Sequence, residues 1–313
     1  MVLMVSILMS VYNGEKYLKI QIDSILNQTY KDFKLYIRND GSIDHSKDII
    51  ESYDDDRIVF YDENNIGAAE SFFELLRRTS DSDYIFFSDQ DDLWYPEKLH
   101  ILLEEIKKYD DTPTMVFSDF KTIDSNGNLI EESYQKRAKL NVSCGRVGIE
   151  EILAHPYVFG CASVINNKLA QIVKNQPKGI EMHDCWISQT ASAVGNLIYM
   201  PIQTIAHRFH NNNTTGKIGS DSFKSRFNRI TKNFNQQVEN SRLRLKQVNI
   251  LLNTHNDTLK PKVKDVLQDI SNSFKNKRIV TVAKLIKHKV KRQKFLNTIF
   301  FYITVLKIKG DIK

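Results

Sequence analysis

At 313 residues, 41% hydrophobic and 26% charged, the chain is long enough for a full-sized core, as one large domain or one domain with an appendage. Cys144, Cys161 and Cys185 form an odd set without CxxC spacing, which argues against a disulfide framework and a zinc site and suits a reducing cytoplasm. The net charge of +6 hides an asymmetry, because residues 221–313 hold 22 Lys/Arg and 6 Asp/Glu while the first 220 hold 22 and 32. An acidic body with a basic tail region results.

The opening "MVLMVSILMSV" lacks a basic n-region and runs straight into "YNGEKYL", so a buried first strand is expected rather than a signal peptide. No uninterrupted apolar run reaches the ~18 to 20 residues of a spanning helix. Next come a helix, "GEKYLKIQIDSILNQ", a strand, "FKLYIRN", a helix, "DHSKDIIESY", and a strand, "RIVFYD". "GAAESFFELLRR" predicts a helix and "DYIFFS" a strand, followed by a helix from about Pro96 to Tyr109 and the strand "TMVFSD". Repeated β-α-β units with continuous apolar strands predict an α/β fold with a mainly parallel sheet covered by helices on both faces. Ligands of such sheets sit outside the carboxyl ends of the strands. There the strands end in Ser10, Tyr12 and Asn13, in Asp40, and in the cluster Asp89, Asp91 and Asp92.

From about 119 the pattern is mixed. "FKTIDSNGNLIEES" reads as a hairpin turning at Asn-Gly, "YVFGCASVIN" as a strand, "HDCWISQTASAV" as a helix, and "NLIYMP" and "QTIAHRF" as strands. "HNNNTTGKIGS" has the composition of a mobile loop. Past ~220 the chain is helical and basic.

The acidic cluster has two readings, a solvated turn capping the next helix or a hard-cation site taking Mg²⁺ or Mn²⁺ beside substrate phosphates. The helix begins near Pro96, too far on for all three acids to cap it. Asp40 fits a turn or cap beside Gly41, and Asp184 fits a cap of the helix that contains Trp186.

Taken in order, "SILMSVYNGEKYL", "IRNDGSIDHSKDII", "NNIGAAESFFELL", "FSDQDDLWYPEKL", "FGCASVIN", "MHDCWIS" and "HRFHNNNTTG" resemble family 2 glycosyltransferases, which have the GT-A nucleotide-sugar-binding fold. The combination looks most like bacterial rhamnosyltransferases that build cell-wall or capsular polysaccharide from dTDP-rhamnose. UDP-glucose, UDP-galactose and UDP-N-acetylhexosamine are the alternative donors.

The resemblance implies Asp91 as main metal ligand, Asp89 near the ribose or metal, and His210 as a further ligand. Asp92 is left between a supporting role and a cap. It implies donor-nucleotide contacts at Ser10, Tyr12, Asn13, Asp40 and Arg208, with Asp40 reading the pyrimidine and Arg208 lending charge to the diphosphate. Asp184 would be the catalytic base of an inverting transfer. Gly160, Cys161, His183 and Trp186 would lie on the acceptor side, and Asn212, Asn213 and Gly216 in a closing flap. This chain has His207-Arg208-Phe209-His210-Asn211 where the family commonly has Tyr-Arg-Gln-His-Gly, and Asn39 where it commonly has an acid.

The domain expectation is a catalytic unit over residues 1–220 and a basic helical region over 221–313. "KNKRIVTVAKLIKHKVKRQK" places Ile279, Val282, Ile286 and Val290 at roughly helical spacing, and "FLNTIFFYITVL" has no charge. This region reads either as an interfacial helix on anionic membrane or as a packing domain or homodimer interface. The former fits an enzyme on the inner face of the cell membrane with a lipid-linked saccharide acceptor. A nucleic-acid-binding role rests on basic charge alone, without aromatic interleaving or a groove-reading motif. A sugar nucleotidyltransferase would need a Gly-rich loop after the first strand, where "SVYNGEKYL" has one glycine.

Overall fold

The computed structural model describes residues 3–138, 140, 143–180, 182–210 and 234–312. The first half alternates as the apolar pattern predicts. The elements are β1 (Val5–Val11), α1 (Glu15–Leu26), β2 (Lys34–Asp40), α2 (Ser46–Glu51), β3 (Ile58–Glu63), α3 (Ala68–Arg78) and β4 (Tyr84–Ser88). After the acidic loop come β5 (Leu93–Trp94), α4 (Lys98–Ile106) and the long β6 (Thr114–Ile123). β7 (Leu129–Glu131) returns against β6 as the expected hairpin. The short α5 (Tyr134–Ala138), β8 (Gly145–Arg146) and α6 (Ile149–Ile152) lead to β9 (Ser163–Asn166), α7 (Asn167–Val173), α8 (His183–Val194) and β10 (Asn196–Arg208).

The sheet runs β3-β2-β1-β4-β9-β6-β10-β5, with β7 on β6 and β8 on β10. β1 is parallel to β2 and β4, β2 to β3, and β6 to β10. β2 and β3 lie on one side of β1 and β4 on the other, so the strand order reverses at β1. A crevice opens there at the carboxyl ends of β1 and β4, as in other open α/β sheets.

Two segments differ from the sequence expectation. "YVFGCASVIN" is a 3-10 turn at Gly160–Ala162 followed by a four-residue strand, which runs antiparallel between β4 and β6. A strand buried on both faces has the same composition in either direction. The segments expected as two strands before residue 210 form the single β10, whose register against β6 slips between Met200 and Ala206.

Among the described residues four helices come next, α9 (Phe234–His255), α10 (Pro261–Ser273), α11 (Arg278–Lys287) and α12 (Phe295–Leu306). α9 packs on α10 and α12, and α11 packs on the same two. The bundle seats on α8, where His255 stacks on Trp186 with ring centroids 5.3 Å apart and Lys260 N–H donates to Ala193 O at 3.2 Å. Leu245, Val248, Leu251, Leu267, Leu285, Phe301 and Val305 share one core with Trp186, Ile187 and Phe87 of the body. The apolar stripe of the basic tail is thus split. Val282 and Val290 are buried, while Ile279 and Ile286 are exposed. No described helix is long and apolar enough to cross a membrane. The expected boundary at 220 and the flap residues Asn212, Asn213 and Gly216 lie outside the described residues.

Candidate active site

β4 ends at Ser88, and the chain turns through Asp89-Gln90-Asp91-Asp92 before β5 pairs with β10. A cleft of about 1090 Å³ opens over this turn, with Ser10, Tyr12, Asn13, Asp40, Asp89, Asp91, Gly160, His183, Asp184 and His210 all in its wall. Strand ends more than 170 residues apart in sequence therefore converge as the motif order implied. Gln90, which sequence reasoning passed over, fixes the acidic turn. Its carboxamide accepts Tyr12 N–H at 2.8 Å and donates to Tyr12 O at 3.1 Å.

The three acids do different things. Asp89 and Asp91 face the cleft. Asp92 is fully buried, and its Oδ1 accepts from His207 Nδ1 at 2.8 Å and from Arg208 N–H at 3.0 Å. Asp92 is neither cap nor cleft ligand but one half of a buried pair that ties the acidic turn to the end of β10. Burial works against the charge on Asp92, yet the His207 charge and hydrogen bond hold its pKa below the ordinary value. Burial likewise opposes the His207 charge, and Asp92 lifts that imidazole to about 9. No local sequence signal joins two residues so far apart, so His207 stood only as part of a motif.

Breaking this pair should be costly. His207→Ala leaves a carboxylate buried without its counter-charge, and a loss of about 3–5 kcal/mol is expected in denaturant unfolding. A loss below about 1 kcal/mol, the range of an exposed pair, would contradict the pairing. The pH dependence has a defined sign. The His207 contribution is complete below its ordinary pKa of about 6.5 and fades as pH rises through about 9. The Asp92 contribution is complete above the ordinary carboxylate value and is lost as pH falls through its lowered one.

Asp89 behaves oppositely. Burial first, then the charges of Asp92 and Asp91, raise its carboxyl pKa. The folded metal-free protein thus holds a proton there that the unfolded chain has released, and stability falls as pH rises through that interval. Asp89→Asn is expected to raise the Tm of the metal-free protein more at pH 8 than at pH 5. An equal gain at both pH values would contradict the assignment.

The cleft acids suit a hard cation. Asp91 Oδ2 lies 2.7 Å from His210 Nε2, and His210 rests on the Tyr17 ring at 5.2 Å between centroids. Asp89, Asp91 and His210 all lie in the cleft wall, and carboxylate oxygen and imidazole nitrogen are donor types that Mn²⁺ takes, Mg²⁺ preferring the oxygens. A second group, Asp89, Asp92, Cys161 and His207, has one candidate ligand atom each within 4.8 Å of one another. It is a poorer donor set for such an ion, because it includes a soft thiol that burial keeps protonated, its pKa raised well above the usual range.

On the opposite side, Asp40 lies at the end of β2, 1% exposed. It accepts from Arg38 Nη1, from Ile66 N–H at 2.8 Å and from Gly67 N–H at 3.0 Å. Gly67 sits at φ +87°, left-handed backbone that glycine tolerates. A carboxylate offers about four acceptor positions, which leaves one for a ligand N–H. Ser10 Oγ donates to Ser71 Oγ at 2.8 Å, Asn13 Oδ1 accepts Ile43 N–H at 2.9 Å, and Tyr12 is half-exposed at the rim.

Asp184 opens α8. Its Oδ1 accepts Cys185 N–H at 2.7 Å and its Oδ2 accepts Gly160 N–H at 3.3 Å. His183 beside it is buried against Phe72, with ring centroids 4.0 Å apart, and neither ring nitrogen has a protein partner. Gly160 makes this approach possible, since a Cβ there would stand 2.7 Å from His183 Nε2.

Three expected site residues stand apart from the described cleft wall. Cys161 turns inward, where its carbonyl accepts from the buried Lys98 ammonium and its thiol lies 3.8 Å from His207 Nδ1. Trp186 is core, stacked on His255. Arg208 is 5% exposed and spans Asp91 O at 2.9 Å and Asp124 O at 3.2 Å, with its guanidinium 4.5 Å over the Tyr17 ring. Arg208 therefore braces the acidic turn from the side. An aromatic or a cation in a motif looks the same in sequence whether it faces the ligand or the core.

The model for "Glycosyl transferase family 2" matches residues 6–189, and the chain belongs to this family. A Rickettsia typhi protein described as an uncharacterized glycosyltransferase is 32% identical over 167 residues, 52% of this chain and 50% of its own length. The chain thus spans about half of that relative. The dTDP-rhamnosyl transferase RfbG of Shigella flexneri is 27% identical over 246 residues, 71% of this chain and 78% of its own. Among solved structures, residues 1–349 of S. aureus TarS with UDP-GlcNAc superpose with a TM-score of 0.57 at 14% identity, over 91% of this chain and 80% of that one. The Pyrobaculum calidifontis mannosyltransferase PcManGT, with GDP-Man and Mn²⁺, gives 0.56 at 14% identity, over 91% and 73%. The fold is GT-A-like, a mostly parallel α/β sheet followed by C-terminal helices.

Proposed function

We propose that this glycosyltransferase moves a sugar from a nucleoside-diphosphate donor to an acceptor hydroxyl with inversion at the anomeric carbon, assisted by a divalent cation. The convergence of Asp89, Asp91 and Asp184 on one cleft carries this reading. Asp91, Asp89 and His210 would hold Mn²⁺ or Mg²⁺, which when bound supplies positive charge to the departing diphosphate. Asp40 and Tyr12 receive the base, with Ser10 and Asn13 lining its approach. Asp184, steadied by the Cys185 and Gly160 N–H groups, accepts the proton of the attacking hydroxyl as the new C–O bond forms. One displacement from the face opposite the leaving group inverts the centre. Gly160 and His183 flank the acceptor.

Rhamnose from dTDP-rhamnose is the proposed donor sugar, supported by the likeness to RfbG over most of both chains. The proposed acceptor is a lipid-linked saccharide of a cell-surface polysaccharide, reached from the inner face of the membrane by a catalytic unit over residues 1–220 and a basic helical region over 221–313. A thermal-shift screen of dTDP- and UDP-sugars with Mn²⁺ tests the donor. Selective stabilisation by dTDP-rhamnose is expected, whereas selective stabilisation by UDP-N-acetylglucosamine would replace it with the donor held by TarS. No shift with any nucleotide sugar would remove the reading.

A further inference from the structure

We propose that α12 is a membrane-docking helix that lies in the plane of an anionic bilayer surface. The inference goes beyond the transfer reaction and stands without it. Phe295, Leu296, Ile299, Ile303 and Leu306 are exposed by 78, 66, 40, 42 and 41%. At about 100° of rotation per residue these five fall within an arc of about 100°. The other side of the helix, with Phe301, Thr304 and Val305, is buried in the bundle. α12 is therefore apolar toward both the core and the solvent, and no residue between Phe295 and Leu306 is charged.

The surroundings select the partner. Lys289 and Lys291 precede the helix and Lys307 and Lys309 follow it, all exposed, while Lys287 pairs with Asp269. Residues 270–310 contain 11 Lys/Arg and no Asp or Glu. Pairing of this face with a second copy would set the exposed Lys289, Lys291, Lys307 and Lys309 against their own copies, while the neighbouring Asp269 is already engaged by Lys284 and Lys287. A nucleic acid would meet the lysines and leave the apolar arc in water. An anionic lipid surface satisfies both features, phosphate headgroups for the lysines and acyl chains for the arc. Twelve residues make a helix of about 18 Å, shorter than the ~30 Å hydrocarbon core, so α12 lies flat.

Flotation of the full chain with phosphatidylcholine vesicles, with and without phosphatidylglycerol, tests the proposal. Binding is expected to the anionic vesicles and to weaken with salt. Phe295→Asp with Ile299→Asp, and separately Lys291→Glu with Lys307→Glu, should each lower partitioning by about tenfold or more. These side chains lie outside the cleft, so donor hydrolysis by each variant should equal wild type and report that it is folded. Wild type that fails to float with anionic vesicles, or variants that float as well as wild type, would overturn the proposal. So would a solution dimer that Phe295→Asp with Ile299→Asp converts to monomer. Vesicle binding without sugar transfer would count against the transferase reading alone, and transfer without vesicle binding against the docking helix alone.

Discussion

Replacing Asp184 with asparagine is expected to lower kcat by about 10²–10⁴, the contribution of a positioned general base, with little change in donor affinity. The carboxamide is nearly the same size and its one oxygen can keep the Cys185 N–H bond at the first turn of α8, at the cost of the longer contact with Gly160. It no longer accepts the proton of an attacking hydroxyl. Single-turnover transfer and equilibrium binding of the nucleoside diphosphate separate the two effects. Full transfer by the Asp184→Asn protein would remove the proposed base, whereas a matching loss of donor binding would recast Asp184 as a donor contact.

The second large effect is expected at the acidic turn. Asp91→Ala should lower transfer by about 10³, consistent with several kcal/mol of charge stabilisation at the leaving group. Added Mn²⁺ should no longer restore activity after chelation. The substitution removes a carboxylate that faces the cleft and pairs with His210. It leaves the Asp92–His207 pair in place, so the fold should persist. This contrasts with His207→Ala, where the expected loss is stability, and the two variants divide the function of the turn from its support. An Asp91→Ala protein that keeps its metal response would assign the ligand role elsewhere.

Much of the architecture was legible because buried parallel strands carry long apolar runs and their helices carry an amphipathic period. The segments from "LMVSILMS" to "DYIFFS" therefore fall where the pattern puts them. Strand direction was not legible, since β9 is buried on both faces and its antiparallel course depends on neighbours far along the chain. The cleft acids and Asp184 were found through motif order, which marks strand ends. The direction in which each motif side chain points was not available. Trp186 lies beside helix residues that line the cleft yet packs in the core, Arg208 sits behind the cleft residues Tyr17, Asp91 and Asp124, and Asp92 turns inward while Asp91 turns out. Gln90 gave no signal because its role is to hold the backbone of Tyr12. The basic tail was ambiguous because α12 is apolar on two faces, and only packing distinguishes the face that is covered.

Crystals soaked with Mn²⁺ and the donor's nucleoside diphosphate provide the most direct test, through the manganese anomalous signal. A peak in the cleft within coordination distance of the Asp91 carboxylate and a diphosphate oxygen, absent after Asp91→Ala, is the predicted result. A peak seated instead between Asp92, Cys161 and His207, or diphosphate bound with no manganese near Asp91, would contradict the assignment of the cleft acids.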